Sequence, residues 1–156
     1  MMLVVIYGMQ RQSQFASGPS VLVSVVQGNI PQSEKWDDAH RTSIQQRYAE
    51  LTEQAAQAKP DLIVWPETSV PGYFNADEEL TQAVFAVAKK AKRPLLIGAP
   101  VPSFAQGNVS VMNSAVLIGP EGAVRQRYDK LHLVPYGEFI PFERALPWLR
   151  SVLPPI

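Results

Sequence analysis

The stretch DLIVWPETSVPGYF, residues 61–74, decides how the chain is read. Leu62, Ile63, Val64 and Trp65 form an apolar run of the kind that becomes a buried strand. A carboxylate, Glu67, follows directly after Pro66. An acid at the end of a core strand is most often a solvated cap, so a chemical role for Glu67 needs support from elsewhere in the chain.

The flanking sequence supplies a layered pattern. Residues 21–29, VLVSVVQGN, are β-branched and apolar and read as a buried strand ending at Gly28. Residues 37–58 carry Ile44, Tyr48, Leu51, Ala55 and Ala58 at helical spacing, and Pro60 closes the element. Residues 77–92 form a second helix, with acids at its start, basic residues at its end, and Leu80, Val84, Val87 and Ala91 on one face. Residues 95–99 read as a third strand. Residues 109–118 and 123–128 flank GPEG, a turn signal that predicts a hairpin. Strands alternating with helices, then a hairpin, predict an α/β domain with parallel strands first and an antiparallel pair later. In such sheets ligands gather beyond the carboxyl ends of the strands, where Glu67 falls.

Composition narrows the function classes. The chain has 156 residues, enough for one domain with a sizeable core, and 46% of them are apolar against 18% charged. Fourteen basic and 14 acidic side chains cancel, so no global field draws the chain to nucleic acid or anionic lipid. No basic, aromatic-interleaved patch argues for nucleic acid, and no Gly-rich phosphate loop is present. His40 and His132 lack metal-ligand spacing, and no metal or cofactor is expected. The sequence holds no cysteine, which excludes disulfides, thiolate metal sites and a cysteine nucleophile within these residues. Residues 1–9 carry one glycine and no charge, yet a spanning helix needs about 20 apolar residues. They read either as a frayed start or as the last turns of a membrane helix.

A second charged group of residues matches the first. In RYDKLHLVPYGEFIPFE, residues 127–143, Lys130 and Glu138 bracket a segment too apolar to be a solvated charged face. Lys130 follows a predicted strand, the architectural position that Glu67 holds. An acid and an ammonium delivered to one sheet edge keep each other ionised, and the ammonium can hold an oxyanion developing on a substrate carbonyl. A second carboxylate, Glu138, is tolerable there when a cation stands between the two.

These segments, DLIVWPETSVPG, YDKLHLVPYGEFIP and VVQGNIPQSEKWD, resemble the carbon-nitrogen hydrolase (nitrilase) superfamily, and within it the apolipoprotein N-acyltransferase branch. The resemblance spans residues 21–141 with three motifs in order. It implies a nitrilase-like α-β-β-α sandwich, here incomplete, with residues 1–20 as the end of a membrane helix plus linker and 21–156 as part of the catalytic domain. It implies Glu67 as general base, Lys130 as the stabiliser of the tetrahedral intermediate, Glu138 as a supporting acid, and Trp36 and Tyr136 as substrate-binding residues. Asn113 resembles an asparagine found at this strand position in the family, for which a structural role is expected, and residues 106–108 read as a plain turn.

The implied reaction is acyl transfer through a thioester: a cysteine takes an acyl chain from a phospholipid and passes it to the diacylglyceryl cysteine amine of an apolipoprotein. The implied setting is the periplasmic side of a bacterial inner membrane. The family's cysteine lies downstream of YGEFIP, so this chain is expected to be inactive alone and to leave a sheet edge and an apolar face uncovered. A soluble amide or nitrile hydrolase, and a non-catalytic remnant of the fold, are the competing readings.

Overall fold

The computed structural model describes residues 2–15, 18–105 and 108–135. A helix, α1 (Met2–Phe15), precedes the domain. The domain then runs β1 (Val23–Val25), α2 (Arg41–Ala56, entered through a 3-10 turn at Asp38–His40), β2 (Leu62–Val64), α3 (Glu78–Ala91), β3 (Leu95–Ala105), β4 (Asn108–Ile118) and β5 (Val124–Asp129). The five strands form one sheet in sequence order, with β1, β2 and β3 parallel and β3, β4 and β5 antiparallel. Both helical crossovers step the same way across the sheet. Their common right hand lays α2 and α3 on one face.

That face is the core. Ile63, Trp65, Leu95, Ile97, Ala99, Val116 and Ile118 from the sheet meet Ile44 and Tyr48 of α2 and Leu80, Val84 and Ala88 of α3 in one buried cluster. Leu80 and Val84 fall on the stripe that the sequence predicts, while Ala88 is fully buried and the expected Val87 and Ala91 are only partly buried. On α2 the stripe continues from Ile44 and Tyr48 to Thr52, which is fully buried, while Leu51 is only half-buried. Thr52 is placed there by Trp65. The indole Nε1 donates to Thr52 Oγ1 at 2.8 Å, Thr52 donates to the Tyr48 carbonyl at 2.7 Å, and the Tyr48 and Trp65 rings lie 4.7 Å apart.

Capping explains where α3 begins and ends. Asp77 takes extended backbone angles and its side chain accepts from the Leu80 N–H, while its other oxygen meets Arg41 at the start of α2. Lys92 closes the helix in the left-handed conformation.

Two strand readings are corrected. The element predicted over 21–29 is a three-residue edge strand, and Val23 and Val25 are exposed rather than buried. An edge strand has one ladder partner, and here it is β2 alone. The strand predicted over 95–99 extends to Ala105, because the antiparallel β4 pairs with it along its whole length. The face away from the helices bears a row aligned by register, Val25, Val64, Leu96 and Leu117, that no described element covers. The sequence-predicted α-β-β-α sandwich is therefore present among the described residues as one helix layer and one sheet. In α1, Met2 to Met9 are exposed, and no helix among the described residues is long and apolar enough to cross a membrane.

Thr52→Val keeps the shape of the threonine but leaves the buried Trp65 N–H without its acceptor, and should cost about 1–3 kcal/mol in urea unfolding. Asp77 titrates below the usual 3.8, first because Arg41 donates to it and then because Leu80 N–H does. Its stabilisation is therefore present above pH of about 4 and is lost as the pH falls through the folded value. Asp77→Asn retains a cap acceptor without the charge, so comparing urea midpoints at pH 6 and pH 3 should show a smaller acid-side loss than in the unmodified chain.

Candidate active site

Beyond β2 the chain continues along β3 in the same direction, through a turn at residues 66–69. The Trp65 N–H donates to the Leu96 carbonyl at 2.8 Å, the Ser69 N–H and hydroxyl both donate to the Gly98 carbonyl at 2.8 and 3.0 Å, and the Phe74 N–H donates to the Pro100 carbonyl at 2.9 Å. The turn carrying Glu67 is thereby pressed against Gly98. A Cβ on Gly98 would stand 2.6 Å from both the Glu67 Cα and the Pro66 carbonyl oxygen. Only glycine fits there. The residue after Glu67, Thr68, has φ of +52°, a left-handed conformation that is an outlier for a β-branched side chain.

Lys130 arrives from the other side. It follows β5, and its N–H donates to the Asn113 carbonyl of β4 at 2.8 Å. One residue earlier, Asp129 accepts from the Ser114 hydroxyl at 2.6 Å and from Arg127 Nε at 2.5 Å. The Ser114 hydrogen bond, ahead of Arg127, holds the Asp129 carboxyl below the usual carboxylate range despite its partial burial. The end of β5 is thus stapled to β4 through both backbone and side chain.

The two elements meet. Lys130 Nζ lies 3.2 Å from Glu67 Oε1, and the side-chain amide of Asn113 donates to the same oxygen. Trp65, Glu67, Gly98, Asn113, Tyr128 and Lys130 line a cavity of about 320 Å³ on the sheet face away from the helices. Sequence reasoning brings Glu67 and Lys130 together correctly, and it misses the contact of Asn113. Its signal is a polar residue at an alternate position of β4, between Val111 and Ala115 on the same face.

The other expected site residues are placed differently. Trp36 is 55% exposed and lines a separate cavity of about 570 Å³ with Arg41, Tyr73 and Asp77, formed by the loops that follow β1 and β2. Tyr136 and Glu138 lie outside the described residues, as do Gln106 and Gly107 of the expected turn. Among the described residues no group of three metal-ligating acids, histidines or cysteines is present.

Strength of the pair separates a structural from a chemical reading. The Glu67 side chain is 62% exposed and that of Lys130 30%. A pair so open to water contributes about 0.2–1 kcal/mol. The left-handed Thr68 costs on the order of 1–3 kcal/mol. The arrangement therefore does not stabilise the fold, and its geometry suits a base with an adjacent cation at a cleft.

Comparison with known proteins identifies the family. Residues 22–155 match the carbon-nitrogen hydrolase family. The chain is 32% identical over 154 residues to the apolipoprotein N-acyltransferase of Geobacter metallireducens, covering 98% of this chain and 30% of that protein. It is 35% identical over 138 residues to the enzyme of the same name from Methylococcus capsulatus, covering 88% and 26%. The chain thus spans about a quarter to a third of the length of these relatives. Among solved structures it resembles the carbon-nitrogen hydrolase of Helicobacter pylori, with a TM-score of 0.55, 25% identity, and coverage of 73% of this chain and 40% of that one. An amidase from Nesterenkonia sp. shares the fold with a TM-score of 0.56 at 15% identity, over 80% and 46% of the two chains.

Gly98→Ala should drive the Glu67 turn off the sheet, since the new methyl meets backbone and not a flexible side chain. The expected outcome is loss of the Glu67–Lys130 contact in the crystal structure of the variant, with unfolding free energy lowered by about 1–3 kcal/mol. The chain belongs to the carbon-nitrogen hydrolase family.

Proposed function

We propose that this carbon-nitrogen hydrolase is the base-and-cation part of an apolipoprotein N-acyltransferase. It would move an acyl chain from a phospholipid to the α-amine of an apolipoprotein's diacylglyceryl cysteine. The observation that carries the reading is the convergence of Lys130 and Glu67 on one cleft at 3.2 Å, in a chain whose long matches are to proteins of that name. The chain contains no cysteine, so on this reading its residues supply the base and the cation but not the sulfur nucleophile.

The chemistry runs in two halves. Glu67 takes the thiol proton, and the thiolate attacks the carbonyl carbon of the sn-1 ester. The Lys130 ammonium donates to the oxyanion while the tetrahedral intermediate lasts. Collapse breaks the ester C–O bond, and the departing lysophospholipid oxygen recovers the proton from Glu67, leaving a thioester. In the second half the neutral amine attacks the thioester carbonyl, Glu67 accepts the amine proton, and the C–S bond breaks to give the amide and the thiol. Glu138 supports the pair, and Trp36 and Tyr136 bind substrate. The apolar Met2 to Met9 segment of α1 would place the domain against the inner membrane on its periplasmic side.

Hydrolysis, with water in place of the amine, is the second reading. Its support is the exposure of the Glu67 carboxylate and the likeness to solved amidases. In an enzyme comprising this chain and the sequence that completes it, acyl transfer to a diacylglyceryl peptide is expected, and release of free fatty acid alone would favour hydrolysis. Glu67→Gln should abolish thioester formation, seen as loss of the acyl-enzyme mass; a retained acyl-enzyme would show that another group is the base. Lys130→Met should slow the same step by about 10²-fold or more, equivalent to roughly 3 kcal/mol.

A further inference from the structure

We infer that Asn113 is a positioning residue that fixes which oxygen of Glu67 acts as the base; this rests on the function proposed above. Three observations meet at this one side chain. Its amide nitrogen donates to Glu67 Oε1. Lys130 Nζ donates to the same oxygen. Its own main-chain carbonyl accepts the Lys130 N–H at 2.8 Å. Asn113 is therefore bonded to base and cation together, and it sits at mid-strand, opposite Pro100 of β3 and one residue from the Ser114–Asp129 pair that begins the ladder with β5.

The consequence concerns the carboxylate's two oxygens. Both donors converge on Oε1, which occupies that oxygen. The two contacts leave Oε2 as the oxygen that, on this proposal, takes the thiol proton. Without the amide, Oε1 keeps its contact with the Lys130 ammonium, a compact charge at the end of a four-carbon arm and not a planar donor. The carboxylate can then rotate its free oxygen to the ammonium, which presents the wrong atom to the thiol. An aspartate at this position has the same shape but donates no hydrogen bond, and sets a like charge against Glu67.

Two measurements test this. In the present chain, the side-chain amide protons of Asn113 in a proton–nitrogen correlation spectrum should shift when Glu67→Ala removes the acceptor; unchanged resonances would overturn the assignment. In the completed enzyme, Asn113→Ala should slow acyl-enzyme formation by up to about 100-fold. KM for the phospholipid and the melting temperature should stay close to those of the unmodified enzyme, so that the loss falls on the rate of acylation. Asn113→Asp should be slower still. Equal losses in both variants, accompanied by a fall in melting temperature, would mean that Asn113 only supports the fold. If the unmodified enzyme forms no acyl-enzyme while the amide shift is intact, the proposed function fails and the catalytic role fails with it, but the contact stands.

Discussion

The contact between the bare backbone of Gly98 and the turn at residues 66–69 governs the arrangement of this domain's edge. The turn approaches so closely that no side chain fits between them. The Gly98 carbonyl then accepts two hydrogen bonds from Ser69, which locks the turn in place. This contact places Glu67 over the sheet face away from the helices. A bulkier residue on β3 would lift the acid away from β4 and from everything that the hairpin carries.

The hairpin supplies the opposing group by a separate route. Antiparallel pairing of β4 with β5 sets Ser114 opposite Asp129 and delivers Lys130 just past the ladder. The paired side chains and the Lys130 N–H bond to Asn113 hold that end of β5 in register. The acid therefore arrives from a parallel βα connection and the cation from an antiparallel hairpin. Their meeting point is rigid although the pair itself is open to water, because each partner is held by backbone rather than by the other's charge. An exposed ion pair could not organise these segments by its own strength.

Much of this was legible in the chain. Helical periodicity marks Leu80 and Val84, and the acids and basic residues at its ends locate α3 to within a residue or two. The GPEG turn predicts the β4–β5 hairpin, and the short apolar run before Pro66 predicts β2. Glu67 and Lys130 are recognisable because each follows directly on a strand. The reading failed where partners decide. Val23 and Val25 look like core residues, yet they sit on an uncovered face of an edge strand. Thr52 looks like a surface threonine on a helix, yet the Trp65 indole draws it into the core. Asn113 looks like a strand residue with only a structural part, and its contact with Glu67 depends on a turn 46 residues away in sequence.

By itself the sequence determined the alternation of strands and helices, the family, and the two charged residues of the cleft, because these depend on local periodicity and on motifs contiguous along the chain. Only the tertiary structure decided that Gly98 makes room for the acid, that Asn113 bonds to both halves of the pair, and that Trp36 lines a neighbouring cavity. The physical reason is common to all three. Each is a contact between segments far apart in the chain, set by strand register and by hydrogen bonds across the sheet, and no pattern within a single segment encodes it.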